Sequence, residues 1–396
     1  MKLIARIDWL ARSLLSRGYV TALYVVVVGM VVAGFIRPLI VFSVLEEQGL
    51  FYVALLTTGF MVSRGFASLC TGFLIKERGY RLSGALALFL WCLSIMLYTI
   101  VPWQFYPIVR VLEGFSAGLL WPLMQSLVMA SVPMEYRSRA MSLYFIAGSI
   151  AYNAGIWAGG FIEEYLGQTV LFVFSITLLL AAVIPYTLIA PTHVSRREKS
   201  IKKIRMSYMR VFRELSSVIP LVVIVGGMTG LSLDYIMAYA KNVSGYTSIL
   251  ARILWSYTGY AALVVSYIVS YIMDKHPSRS IPLAIGYIVI ASLAILSLKL
   301  LPEILYMLTI LPRVSNTVFK PIIRGYAAKT TSDPELATTA INFLSNISAA
   351  FIPLIITSID TILYIPVLLS PGILVYTIFA TLILSLSMFS ERKTLS

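Results

Sequence analysis

Residues 55–75 read LLTTGFMVSRGFASLCTGFLI and run straight into Lys76-Glu77-Arg78-Gly79-Tyr80-Arg81. Arg64 is the only charge in that apolar run. About 20 residues at ~1.5 Å rise cross the ~30 Å hydrocarbon core of a bilayer as one helix. The charged stretch that follows marks where the chain leaves the hydrocarbon. Working outward from this run, the same pattern recurs over residues 19–44, 50–75, 82–101, 104–130, 140–162, 168–190, 218–240, 248–273, 281–301, 303–327, 337–359 and 362–389, which we number spans 1 to 12. The chain is therefore expected to be an all-α integral membrane protein with 12 transmembrane helices.

Composition agrees with that expectation. Apolar residues make up 59% of the 396 residues and charged residues 12%, against roughly 25% charged in a soluble domain. The net charge of +14 would suit a nucleic-acid partner only if the cations shared one face. Instead they gather in the short segments between spans. Lys2, Arg6, Arg12, Arg17, Lys76, Arg78, Arg81, Arg137, Arg139, Lys275, Arg279, Arg392 and Lys393 fall on one side of the map. Lys241, Lys299, Glu46, Glu47, Glu163, Glu164 and Asp360 fall on the other. Such asymmetry places both termini in the cytoplasm of a cell-membrane protein and argues against nucleic acid.

The basic N-terminus is not read as a cleaved signal, because the apolar run behind it continues to about Val44. Residues 2–17 interleave cations with Leu3, Ile7, Leu10 and Leu14. They suit either a helix on the inner membrane surface or a frayed basic tail. The segment 191–217 carries Arg196, Arg197, Lys199, Lys202, Lys203, Arg205, Arg210 and Arg213. These cations either contact anionic lipid headgroups, at ~1 kcal/mol each, or serve only to fix topology. Cys70 and Cys92 lie inside spans and are expected to stay unpaired. His193 and His276 are isolated, so no metal site is expected. No phosphate-binding Gly-Lys-Ser/Thr loop occurs, so no nucleotide or other cofactor is expected. No nucleophile-and-base constellation suggests an enzyme.

The second six spans repeat the first. Pro122 corresponds to Pro321, Glu135 to Glu335, Ala140 to Ala340 and Arg81 to Arg279, each about 200 residues apart. Six spans is an even number, so the two halves share an orientation and are related by a pseudo-two-fold along the membrane normal. The expected organisation is a cytoplasmic segment 1–18, a six-helix half 19–190, a basic linker 191–217, a second half 218–389 and a tail 390–396.

At specific residues the chain resembles the major facilitator superfamily. Gly72, Leu74, Gly79 and Arg81 fit that family's loop between spans 2 and 3, although Lys76 stands where the family has an acid. The equivalent loop of the second half, Asp274-Lys275-His276-Pro277-Ser278-Arg279, keeps the acid. Span 4 carries Arg110-Val-Leu-Glu113-Gly114-Phe-Ser-Ala-Gly118. Span 5 carries Gly155-Ile156-Trp157-Ala158-Gly159-Gly160, with Ile156 in place of the motif proline. Ile36-Arg37-Pro38-Leu39 also looks typical of span 1. The resemblance implies a charge latch on the cytoplasmic side. Glu77 and Asp274 would replace the missing acid, with Lys76, Arg81 and Arg279 around them. It also implies a central cavity lined by spans 1, 4, 7 and 10. Gly114 with Gly118, and Gly155 with Gly159 and Gly160, present small faces for close helix packing or sliding.

Charges inside spans point to function, because each costs at least ~2.5 kcal/mol at mid-bilayer unless it faces a cavity or a partner. The candidates for substrate binding and proton coupling are Arg37, Arg110, Glu113, Asp234, Arg313 and Lys320. Arg110 and Glu113, three apart, share a helix face and can pair. Asp234 can pair with Arg313 or Lys320. Paired, these groups serve as structural clamps. Otherwise they bind an anionic substrate and carry a proton. The expected function is proton-coupled secondary active transport of a small solute by alternating access, the solute an organic anion or drug-like compound. The protein is expected to be monomeric. An uncoupled uniporter, and a transporter-shaped sensor or lipid scramblase, are the alternatives.

Overall fold

The computed structural model describes residues 16–133, 136–190, 213–216, 218–275, 301–315, 334–363 and 370–393, with isolated positions between 286 and 323. The first 15 residues, nearly all of the basic linker, most of span 9, Lys320 and Arg279 lie outside the described residues, as do the side chains of Lys76 and Asp274.

Every regular element among the described residues is helical. They are α1 (Arg17–Gln48), α2 (Leu50–Ile100), α3 (Tyr106–Ser131), α4 (Arg137–Leu166), α5 (Gln168–Ile189), α6 (Ile219–Gly230), α7 (Ile236–Ser244), α8 (Ser248–Lys275), α9 (Pro302–Leu308), α10 (Pro334–Ile362) and α11 (Pro371–Lys393). Among the described residues nine segments are long and apolar enough to cross a membrane. Large apolar side chains such as Ile100 (73% exposed), Leu188 (73%) and Phe89 (59%) stand on their outer surfaces. Water would not tolerate apolar exposure on that scale, and lipid requires it. Pro38, Pro122, Pro185 and Pro353 sit inside these helices. Membrane helices tolerate interior prolines because neighbouring groups satisfy the freed carbonyls.

The chain folds into two compact units: Met1–Ser43 with Ser63–Arg197, and Val44–Val62 with Glu198–Ser396. The stretch 44–62, which is the end of α1 and the start of α2, thus belongs with the second half of the chain.

In the first unit, α2 is two spans joined by a kink at Gly79, whose φ of 72° and ψ of 175° are open essentially to glycine alone. The kink is stitched to the end of α5. The Tyr186 hydroxyl donates to Tyr80 O at 2.5 Å, and Arg81 donates to Ala190 O at 3.2 Å and Leu188 O at 3.4 Å. Arg81 therefore serves the unsatisfied carbonyls at a helix C-terminus. Close backbone approaches hold the rest. A Cβ on Gly118 would lie 2.5 Å from Arg64 O, and one on Gly155 would lie 2.4 Å from Val31 O. Gly118 thus lets α3 meet α2, and Gly155 lets α4 meet α1.

In the second unit, α6 lies against α10 through Gly226 and Gly230, four residues apart. Their Cβ atoms would lie 2.7 Å from Ser345 O and 2.0 Å from Ala349 O. This is the small-residue spacing that brings membrane helices together. The helix continues through a π-helical turn, Leu231–Tyr235, into α7. Asp360 on α10 caps the start of α11, accepting from Gly372 N–H at 2.7 Å and from the Ser370 hydroxyl at 2.9 Å. The Tyr235 hydroxyl donates to the same carboxylate at 3.1 Å.

Candidate functional site

Each unit holds its own set of charges. In the first, Arg110 lies near the start of α3, and Glu113 lies one turn on. The i, i+3 spacing places both on one face, and Arg110 Nη1 meets Glu113 Oε2 at 2.6 Å. The Tyr98 hydroxyl, from the end of α2, donates to that oxygen at 2.9 Å. Tyr106 in turn donates to Tyr98 O at 3.0 Å, and the two rings meet edge to face at 4.9 Å. Arg110 is fully buried and Glu113 is 3% exposed. Two donors thus converge on one carboxylate oxygen. Arg37 is half-buried on α1, its guanidinium 5.8 Å from the Tyr152 ring on α4. At the end of the span containing residues 55–75, Gly72 and Glu77 are exposed, and Arg81 is engaged with α5 as described above.

In the second unit, Asp234 occupies the π-helical turn and is fully buried. π turns add a residue to the helical repeat and recur at functional positions. Thr57 Oγ1 on α2 donates to Asp234 Oδ2 at 3.0 Å. Its neighbour Thr58 donates to Ala350 O on α10 at 2.7 Å. Seven residues beyond Asp234, Lys241 forms an ion pair with Glu46 at the end of α1. Tyr239, between these two, stacks on Tyr235 with ring centroids 6.1 Å apart. Arg313 donates to the Trp255 carbonyl and, at 3.0 Å, to Thr258 Oγ1, with its guanidinium 4.2 Å from the Trp255 ring. Beyond the membrane-spanning stretches, Tyr246 donates to Glu303 Oε1 at 2.8 Å, and this bond holds its hydroxyl above the ordinary tyrosine range.

The predicted Arg110–Glu113 pair is therefore formed. The structure gives Asp234 a threonine partner and turns Arg313 toward α8. Lys320 lies outside the described residues. Sequence reasoning missed Thr57, because a threonine in an apolar helix ordinarily bonds its own backbone and carries no sign of a second partner. It also missed Lys241 and Glu46 as a pair. Their placement on the same side of the topology map was the available signal. Among the described residues no three His, Cys, Asp or Glu side chains gather as a metal site would require.

A family model described as Major Facilitator Superfamily matches residues 14–353. Among solved structures, a mutant of the nucleoside transporter NupG superposes with a TM-score of 0.74 at 8% identity, covering 94% of this chain and 99% of that one. A POT family transporter in complex with 5-aminolevulinic acid superposes with a TM-score of 0.72 at 12% identity, covering 96% of each chain. At such identities the likeness establishes the fold. Together with the apolar helices and their exposed apolar faces, these matches make the chain a multi-pass membrane protein and a transporter rather than an enzyme, and it belongs to the major facilitator superfamily.

Proposed function

We propose that the protein carries a small organic anion or drug-like solute across the cell membrane by alternating access, driven by a proton gradient. In this reading it is a monomer with 12 helices in two six-helix halves, residues 19–190 and 218–389, with both termini in the cytoplasm. The basic segment 191–217 contacts anionic lipid headgroups, and Glu77, Asp274 and the cations around them form the cytoplasmic gate. Asp234 is the proton carrier. Arg37, Arg313 and Lys320 supply the positive charge that favours an anionic substrate. Arg110 and Glu113, closed on each other and on Tyr98, are the structural members of the set.

The observation that carries this reading is Asp234 itself. A carboxyl group ten residues short of the helix end at Ser244 lies about 15 Å along the helix from that end, deep in the hydrocarbon. Ionisable groups there are costly and mark ion or proton pathways. The test is a thermal-shift screen of the purified protein against a solute library at two pH values, followed by uptake of the best hit into proteoliposomes under an imposed pH gradient. Uptake that follows the gradient in wild type and ignores it in Asp234→Asn is the expected result. Equal uptake with and without the gradient in wild type would make the protein a uniporter. Absence of any flux would leave a sensor or scramblase.

A further inference from the structure

Among the described residues, the contacts that hold 44–62 in the second unit include the ion pair between Glu46 and Lys241, the Thr57–Asp234 hydrogen bond, and the Thr58–Ala350 hydrogen bond. The middle one has a property the others lack. Thr57 Oγ1 is 3.0 Å from Asp234 Oδ2 and 3.5 Å from Val53 O, one turn back on its own helix. A hydroxyl carries one proton, so it serves one of these acceptors at a time. Facing a carboxylate, it donates across to α6–α7, in a charge-assisted bond roughly twice as strong as a neutral one. Facing a carboxylic acid, it becomes the acceptor, and its own proton turns to Val53 O in the back-bond that threonines make in apolar helices. Thr57 and Asp234 are both fully buried.

From this geometry we infer that Thr57 is the positioning residue through which the protonation of Asp234 is read by α2. Ionised Asp234 draws the Thr57 hydroxyl and holds 44–62 against α6–α7. Protonated Asp234 returns that hydroxyl to Val53, weakens the cross-helix bond, and lets the segment part from the helix. No covalent bond changes, and the one proton gained by Asp234 comes from water reaching the site. The inference rests on the proposed role of Asp234 as proton carrier. Other ionisable groups on the surrounding elements include Glu46 and Lys241, paired with each other, Glu47 and Tyr52 on the 44–62 stretch, Tyr257 and Tyr260 on α8, and Tyr235 and Tyr239 on the same helix as Asp234. Asp360 on α10 is engaged by Ser370, Gly372 and Tyr235, and Arg252 is on α8. Of these, Glu46 is the carboxylate whose titration would also loosen the segment, so Glu46→Gln is carried as a control.

The experiment needs no substrate. Ala54, fully buried on the same segment, is replaced in an Ala54→Cys chain that also carries Cys70→Ala and Cys92→Ala. The rate of its modification by a methanethiosulfonate reagent is measured in nanodiscs at pH 5.5 and pH 8, corrected for the reagent's own pH dependence. Wild type at Thr57 should react about fivefold faster at pH 5.5, the factor expected when a charge-assisted hydrogen bond becomes a neutral one. Thr57→Val, and Thr57→Ala as a second hydroxyl-free variant, should react fast at both pH values. Thr57→Ser should restore the pH dependence, and Asp234→Asn should abolish it.

A hydroxyl-free variant that keeps the full pH dependence, while Asp234→Asn loses it, overturns the role of Thr57 and leaves Asp234 as the proton carrier. Rates that do not depend on pH, or a dependence that survives in Asp234→Asn or vanishes in Glu46→Gln, overturn the inference together with the reading it rests on. Melting temperatures within a few degrees of the parent establish that each variant is folded.

Discussion

Replacing Glu113 with Gln tests whether the buried pair of α3 is a clamp. The substitution keeps the shape of the side chain and an oxygen for Tyr98, and it removes the charge that Arg110 Nη1 meets at 2.6 Å. The Coulomb energy of unit charges at that distance is about 6 kcal/mol at an effective dielectric of ~20, which bounds the loss from above. The measured cost of removing one partner from a buried ion pair is about 3–5 kcal/mol, because the remaining charge stays buried without compensation. Side-chain exposures of 0% and 4% leave solvent little part in screening. Gln Oε1 still accepts from both donors, which points to the lower end, near ~3 kcal/mol.

For a unit of roughly this size, ~2–4 °C per kcal/mol converts this to a fall of about 6–12 °C in melting temperature. The assay is thermal unfolding in detergent of Glu113→Gln, Arg110→Gln and the double variant. Because the double variant leaves no buried charge, it should lose much less than the sum of the singles. A change of ~1 °C in Glu113→Gln, or strict additivity in the double, would refute the clamp. It would return Glu113 to the set of residues that act during transport.

Two further outcomes concern the packing. Gly155→Ala places a methyl group 2.4 Å from the backbone oxygen of Val31. It should destabilise by about 1–3 kcal/mol as overpacking, whereas Gly72→Ala, with no heavy atom within 4 Å, should be neutral or slightly stabilising. Paired melting curves read both. Asp360→Ala removes the acceptor for Gly372 N–H and Ser370. It should cost about 0.5–2 kcal/mol of cap energy, visible as faster hydrogen exchange over residues 371–376, with Asp360→Asn retaining most of the protection.

The membrane helices and the family motifs were legible because each rests on local chemistry: a span is a length of apolar residues, and Gly79 stands where only glycine takes a φ of 72°. Arg110 and Glu113 were legible as a pair because three-residue spacing alone sets them on one face. Contacts between helices were not legible. In lipid both faces of a helix are apolar, so no hydrophobic stripe tells which face meets which neighbour. Thr57 and Thr58 look alike in sequence, yet one reaches Asp234 and the other Ala350 O. Arg313 reaches the Trp255 carbonyl for the same reason: its partner depends on how α8 lies, not on its neighbours in the chain. The π turn that carries Asp234 leaves no mark in composition either.

The division of the chain at Ser43/Val44 and Val62/Ser63 has a consequence for anyone who would cut or recombine this protein. The natural scissors point is the basic connector, residues 191–217. A fragment severed there carries away the stretch 44–62 but leaves behind Asp234, Lys241 and Ala350, to which that stretch is fastened. Chimaeras joined at the connector with a distant relative would therefore inherit mismatched fastenings. Exchanging residues 44–62 together with the chain beyond the connector keeps those fastenings intact, and makes the more conservative graft.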